Sequence, residues 1–78
     1  MKPKEIGATV RQLRTEMGKT STDLARKVGV SQPQISRLEN GQQGFRSDIL
    51  VKIAKALKVP PFRLLMTEKD WAKWRRAK

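Results

Sequence analysis

The stretch Ser21-Thr22-Asp23-Leu24-Ala25-Arg26-Lys27-Val28-Gly29-Val30-Ser31-Gln32-Pro33-Gln34-Ile35-Ser36-Arg37-Leu38-Glu39-Asn40 decides the fold. It reads as two short helices joined by a tight turn. Thr20, immediately before it, and Asp23 have the spacing of a capping box, in which a hydroxyl and a carboxylate each satisfy a backbone amide at a helix start. Leu24, Ala25 and Val28 then share one face, and Gly29 supplies the positive φ that turns the chain. Ser31 opens the second helix. Because Pro33 has no amide hydrogen, a capping Ser31 hydroxyl has to accept from the amide of Gln34. Ile35 and Leu38 face inward, and Asn40-Gly41 closes the helix with residues that tolerate positive φ. Helices that cross steeply after so short a turn need a small residue where their backbones approach, and Ala25 fills that role. Leu24, Val28, Val30, Ile35 and Leu38 lock the pair onto a shared core. Serine, glutamine and arginine side chains are left on the outer face of the second helix.

Working outward, Ile6, Val10, Leu13 and Met17 fall at i, i+4, i+7 and i+11, one stripe of a preceding helix with Pro3 near its start and Gly18 at its end. After Gly41 a loop runs from Gln42 to Arg46, and Phe45 tucks back from it into the core. A fourth helix starts at Arg46 or Ser47 and carries Ile49, Leu50, Ile53, Ala54 and Leu57 on one face, until Val59-Pro60-Pro61 breaks it. Phe62, Leu64 and Leu65 suggest a short fifth helix with Pro61 in its first turn. From Thr67 to Lys78, Thr67 and Asp70 have capping-box spacing, Trp71 and Trp74 lie on one side, and Lys69, Lys73, Arg75, Arg76 and Lys78 stand among the rest, so a sixth helix fits there. Alternating runs of β-branched residues are missing, which makes the fold class all-α.

Composition narrows the function classes. The 78 residues suit one domain, and 18 Lys and Arg against 7 Asp and Glu give a net charge of +11, which favours an anionic partner, nucleic acid first. The bland reading of that charge is solubility. With no cysteine and no histidine, zinc fingers, thiol chemistry and an imidazole base are excluded, and the scattered acids form no obvious pair, so no enzyme, metal or cofactor is expected. No apolar run approaches the roughly 18 residues of a membrane span and the start of the chain lacks a signal-peptide stretch, so a cytoplasmic protein with no membrane partner is expected.

Asp23-Leu24-Ala25, Gly29-Val30-Ser31, the run Ile35 to Gly41, and Ile53-Ala54-Lys55-Ala56-Leu57 with Val59 together resemble the Cro and phage-repressor type of helix-turn-helix proteins, the XRE or lambda repressor-like family. The likeness runs from about Ile6 to Leu65. It implies a five-helix DNA-binding domain over 1–66, followed by a basic extension over 67–78. It also implies a sequence-specific transcriptional regulator, most readily a repressor, bound to double-stranded DNA as a homodimer on a near-palindromic operator. By the same resemblance Gln32, Pro33, Gln34, Ser36 and Arg37 read bases, while Thr20, Ser21, Asn40, Gln42, Gln43 and Arg46 meet phosphate. An ion pair between Arg14 and Glu39 beneath the reading helix is implied as well.

Two departures stand out. Many members carry Gln where this chain has Ser21, whose shorter reach puts the bracing contact of that position in doubt. Pro33 offers a base only apolar contact, for instance to a thymine methyl. Several residues keep a second reading: Gln34 as part of the Ser31 cap, Arg37 and Arg46 as solvated surface cations, and Asn40-Gly41 as a plain helix stop or as backbone amides for phosphate. Rival functions on the same core are a DNA-binding antitoxin and a coactivator or bridging protein. Trp71 and Trp74 are expected to be buried, against the flank of the same subunit or, preferably, against a partner subunit.

Overall fold

The computed structural model describes residues 3–66 and 68–77, and among them every regular element is helical. The order is α1 (Pro3–Glu16), α2 (Ser21–Val28), α3 (Gln32–Glu39), α4 (Ser47–Ala56), a 3-10 turn (Pro61–Leu65) and α5 (Glu68–Ala77). The all-α architecture expected from the sequence is therefore present. The expected cap at Thr67 and the charge of Lys78 lie outside the described residues.

Local chemistry sets the boundaries. Thr20 and Asp23 form the full capping box of α2, and Gly29 ends that helix at φ 86°. α1 closes at Gly18, φ 69°, with the amides of Gly18 and Lys19 returning to the carbonyls of Thr15 and Arg14. Arg46 is the N-cap of α4, and Ser47 its first helical residue. The end of α4 differs from the expectation. It stops at Ala56, before the Val59-Pro60-Pro61 breaker, and the chain turns through Lys58 at φ 60° while the amide of Val59 bonds the carbonyl of Ala54. The residue before a proline is pushed out of helical space, so the stop has to fall upstream of Val59, and the left-handed residue is a lysine rather than a glycine. The expected fifth helix is a 3-10 turn, short enough that its poorer hydrogen-bond geometry is tolerated.

The core consists of Ile6, Val10, Leu24, Ala25, Val28, Ile35, Leu38, Ile53, Ala54, Leu57 and Leu64, with Leu13, Met17, Val30, Phe45, Ile49 and Leu50 packed partly buried against it. Phe62 and Leu65 are exposed instead. α2 packs on α3 along one side and on α4 along the other, and α1 crosses α3 from beneath. That crossing needs Gly7. A Cβ there would stand 2.3 Å from the carbonyl oxygen of Leu38 and 2.6 Å from that of Glu39, so only glycine lets the two backbones approach.

The C-terminal flank is aromatic. Trp71 and Trp74 stack with ring centroids 5.2 Å apart, and Trp74 also meets Phe62 edge-on at 5.2 Å. The guanidinium of Arg63, itself buried, lies 4.8 Å from the Trp71 ring centroid. The tryptophans thus rest on the flank of their own chain, one of the two seats open to them, and both keep part of their surface exposed.

Candidate nucleic-acid interface

The pose of α3 is fixed from below by charge. Glu39 projects under the helix with 2% of its side chain exposed, and Arg14 grips it bidentately, Nε to Oε2 at 2.7 Å and Nη2 to Oε1 at 2.9 Å. Parallel charge-assisted bonds of this kind define orientation as well as distance. The hydrogen bond to Glu39 holds the Arg14 guanidinium above its ordinary pKa, more than offsetting partial burial. Arg14 also donates from Nη1 to the carbonyl of Lys19 at 2.9 Å, which ties the α1–α2 turn to the same node. The expected Arg14–Glu39 pair is present. The resemblance did not indicate a second cation, but Arg11 donates from Nε to Glu39 Oε1 at 3.3 Å and from Nη2 to Asn40 Oδ1.

The front of α3 is fixed at its start. Ser31 accepts from the amide of Gln34 at 3.3 Å, the cap that Pro33 left as the one possibility. Gln32 donates from Nε2 to Ser21 Oγ at 3.0 Å and so joins the first residues of α2 and α3. Within the chain the longer side chain reaches from α3, and the serine accepts its hydrogen bond. Thr20 spends its hydroxyl oxygen on the amide of Asp23, 3.0 Å away. In return the Asp23 carboxylate accepts from the Thr20 amide at 3.0 Å, and this bond, followed by that to the Thr20 side chain, holds its pKa below the ordinary carboxylate value.

At the far end, the amides of Asn40, Gly41 and Gln42 donate to the carbonyls of Ser36, Leu38 and Arg37 at 3.0, 3.2 and 2.9 Å, with Gly41 at φ 73°. This is a Schellman stop. It consumes the backbone donors that one reading of Asn40-Gly41 reserved for phosphate, leaving the Asn40 side chain as the polar group there.

Gln32, Pro33 and Arg37 are exposed, while Gln34 and Ser36 are half-buried beside them. Arg37 donates to Gln43 Oε1 at 3.4 Å, bringing α3 and the following loop together; Gln42 is exposed next to it. Arg46 stands apart, paired with Asp48 at 3.6 Å with both side chains well exposed. Sequence reasoning missed Gly7 and Arg11. Gly7 carried the signal of a glycine inside a good helical stripe. Arg11 carried none, since it looks like any of the surface cations.

Among the described residues no helix is long and apolar enough to cross a membrane. Residues 10–64 match the helix-turn-helix family. Over 55 residues the chain is 44% identical to an uncharacterized transcriptional regulator in the ATPase CF(0) region of Rhodospirillum rubrum, covering 70% of this chain and 51% of that protein. It is 46% identical over 52 residues to a competence pilus inhibition repressor of Acinetobacter baylyi, covering 67% of this chain and 47% of the repressor. The chain thus spans about half the length of these curated relatives. Among solved structures, the biofilm master regulator SinR of Bacillus subtilis, in complex with DNA, superposes with a TM-score of 0.74 at 32% identity, covering 78% of this chain and 98% of that one.

Proposed function

The chain belongs to the helix-turn-helix family of transcriptional regulators, and from that premise we propose that it binds double-stranded DNA sequence-specifically and represses transcription as a cytoplasmic homodimer on a near-palindromic operator. The observation that carries this reading is the outward face of α3. It bears Gln32, Pro33, Gln34, Ser36 and Arg37, and it is held rigidly by the Ser21–Gln32 bond in front and the Arg14–Glu39 pair beneath. A preorganised helix is what major-groove readout requires. In this reading Arg37 takes guanine, Gln32 and Gln34 supply amides for adenine, Ser36 is permissive, and Pro33 contacts a methyl group. Thr20, Ser21, Asn40, Gln42, Gln43 and Arg46 position the duplex through its phosphates, and residues 67–78 form a basic extension of the 1–66 domain.

A dimer places its two reading helices about 34 Å apart on one face of the duplex, which sets the half-site spacing. The test is selection of bound sequences from random duplex DNA, followed by two variants. Arg37→Ala should cost about 1 to 3 kcal/mol on the selected site and flatten discrimination at one base pair per half-site. Arg46→Ala should weaken all duplexes alike and lower the salt slope by about 1. Equal losses for Arg37→Ala on selected and random DNA, or a one-to-one complex on a non-repetitive site, would overturn the reading.

A further inference from the structure

Arg11 has no necessary role in neutralising Glu39, because Arg14 already satisfies that carboxylate bidentately and lies closer on both oxygens. The side chain of Arg11 is 52% exposed, against 13% for Arg14. The cluster of Arg11, Arg14 and Glu39 therefore carries one surplus positive charge, and Arg11 places it at the surface, beside the C-terminal end of α3. That end is where the carbonyls of the helix concentrate negative potential and where an approaching phosphate would ordinarily be repelled.

Arg11 also fixes the direction of Asn40. A guanidinium has donors only, so the Asn40 atom that faces Arg11 Nη2 must be the carbonyl oxygen, and the assignment of oxygen and nitrogen on that side chain is settled by chemistry. Both amide hydrogens of Asn40 then point away from Arg11. The surrounding groove between α1 and the end of α3 is lined by Lys4, Ala8, Arg11, Gln12 and Asn40. Its cations are Lys4 and Arg11, and its carboxylate, Glu39, is spent on the two arginines. The backbone amides nearby are consumed by the Schellman stop, so an anion at this end of the helix depends on side chains.

We infer that Arg11 and Asn40 form one phosphate-binding unit at the C-terminal end of α3, in which Arg11 is the positioning residue: it offsets the helix terminus and holds Asn40 with its amide donors outward. The ligand is a phosphodiester of duplex DNA, and the inference rests on the proposed assignment of Asn40 to the phosphate backbone. It extends the interface from α3 and its flanking loops onto α1.

The experiment is a double-variant cycle with Arg11→Met and Asn40→Ala, measured by fluorescence anisotropy on a selected and on a random duplex, over a salt series. Asn40→Ala should lower affinity about tenfold on both duplexes, the usual worth of a hydrogen bond to a charged group. Arg11→Met should lower it at least as much and reduce the salt slope by about 0.9. In the Arg11→Met background Asn40→Ala should cost little more, since an unheld amide no longer presents its donors. Thermal melting of Arg11→Met should stay close to the parent, because Arg14 keeps Glu39 paired. Additive losses, or an unchanged salt slope in Arg11→Met, would overturn the unit while leaving Asn40 as an independent contact. Unchanged affinity of Asn40→Ala in the otherwise unaltered chain would remove the phosphate reading of Asn40 itself, and the inference with it.

Discussion

The underside of α3 and the C-terminal flank each depend on a poorly exposed arginine, and the two arginines do different work. Arg14 closes on a carboxylate that is almost fully buried, with bond lengths of 2.7 and 2.9 Å that permit one orientation of Glu39 and hence one pose of α3. Arg63 lies 4.8 Å from the centre of an indole that is itself partly exposed, and that indole is stacked on Trp74. Ring faces attract a cation over a broad area, so this contact is by itself less exacting in angle than a bidentate ion pair. Paired charge-assisted bonds fix the orientation of Glu39 at the end of α3, whereas a ring contact of this kind tolerates a wider range of angles.

The largest effect should come from breaking the ionic side. Glu39→Ala leaves Arg14 with its charge poorly exposed and its main partner gone, and stability should fall by about 3 to 5 kcal/mol in denaturant unfolding. Replacing both partners, Arg14→Met with Glu39→Leu, should be milder than the sum of the single losses, because no charge is then stranded. A loss below about 1 kcal/mol for Glu39→Ala would mean that the pair behaves like a surface salt bridge, and the contrast with the aromatic flank would collapse.

Gly7 sharpens the same side of the comparison by testing the backbone rather than the charge. In an open helix Gly7→Ala would stabilise by about 1 kcal/mol through propensity. Here the new methyl meets two main-chain oxygens, at 2.3 and 2.6 Å, and neither can move without shifting the end of α3. The expected result is a net destabilisation of about 1 to 3 kcal/mol. A stabilised Gly7→Ala protein would show that α1 and α3 do not cross as closely as the structure has them.

What the sequence disclosed follows from how local each cause is. The Thr20–Asp23 box, the Gly29 turn and the Ser31–Gln34 cap are decided within a few residues, and all are found in the structure. The Arg14–Glu39 pair spans 25 positions and was accessible through family resemblance, not through spacing. Gly7 looked like a weak point in a helix because the surface that requires it belongs to another element. Lys58 gave no sign of a left-handed backbone, since glycine or asparagine normally marks that turn. Arg11 and Arg63 were indistinguishable from the other cations of a chain with a net charge of +11, and burial or a partner is what separates them. The tryptophan pair was legible as one helical face, but the surface it meets was not.

The aromatic side should break more gently. Trp74→Ala removes both the stack on Trp71 and the edge contact with Phe62, yet the ring is only half-buried, so a loss of about 1 kcal/mol is expected. Sedimentation of the same variant decides whether the exposed part of the stack also serves a second copy. An association constant that falls by more than tenfold would assign the flank to the dimer, whereas unchanged association would leave it as an intrachain clasp.

The smallest effect belongs to Asp23, in the first turn of α2, which tests whether fine electrostatics at a helix start matter beside either region. The Thr20 amide, then its side chain, hold the Asp23 carboxylate below its ordinary pKa of 3.8. Such a group adds stability that is fully present above the unfolded value and disappears as pH falls through the lower folded value. Asp23→Asn keeps an acceptor for the Thr20 amide but gives up the negative charge at the positive end of α2. The variant should therefore melt slightly below the parent at neutral pH, and the gap should close as pH falls below the ordinary carboxylate value and through the lower folded one, where the parent carboxylate becomes protonated too. Because Asp23 is fully exposed, the gap should also narrow in high salt. Melting curves that stay parallel across that pH range would show that the cap works through its hydrogen bonds alone.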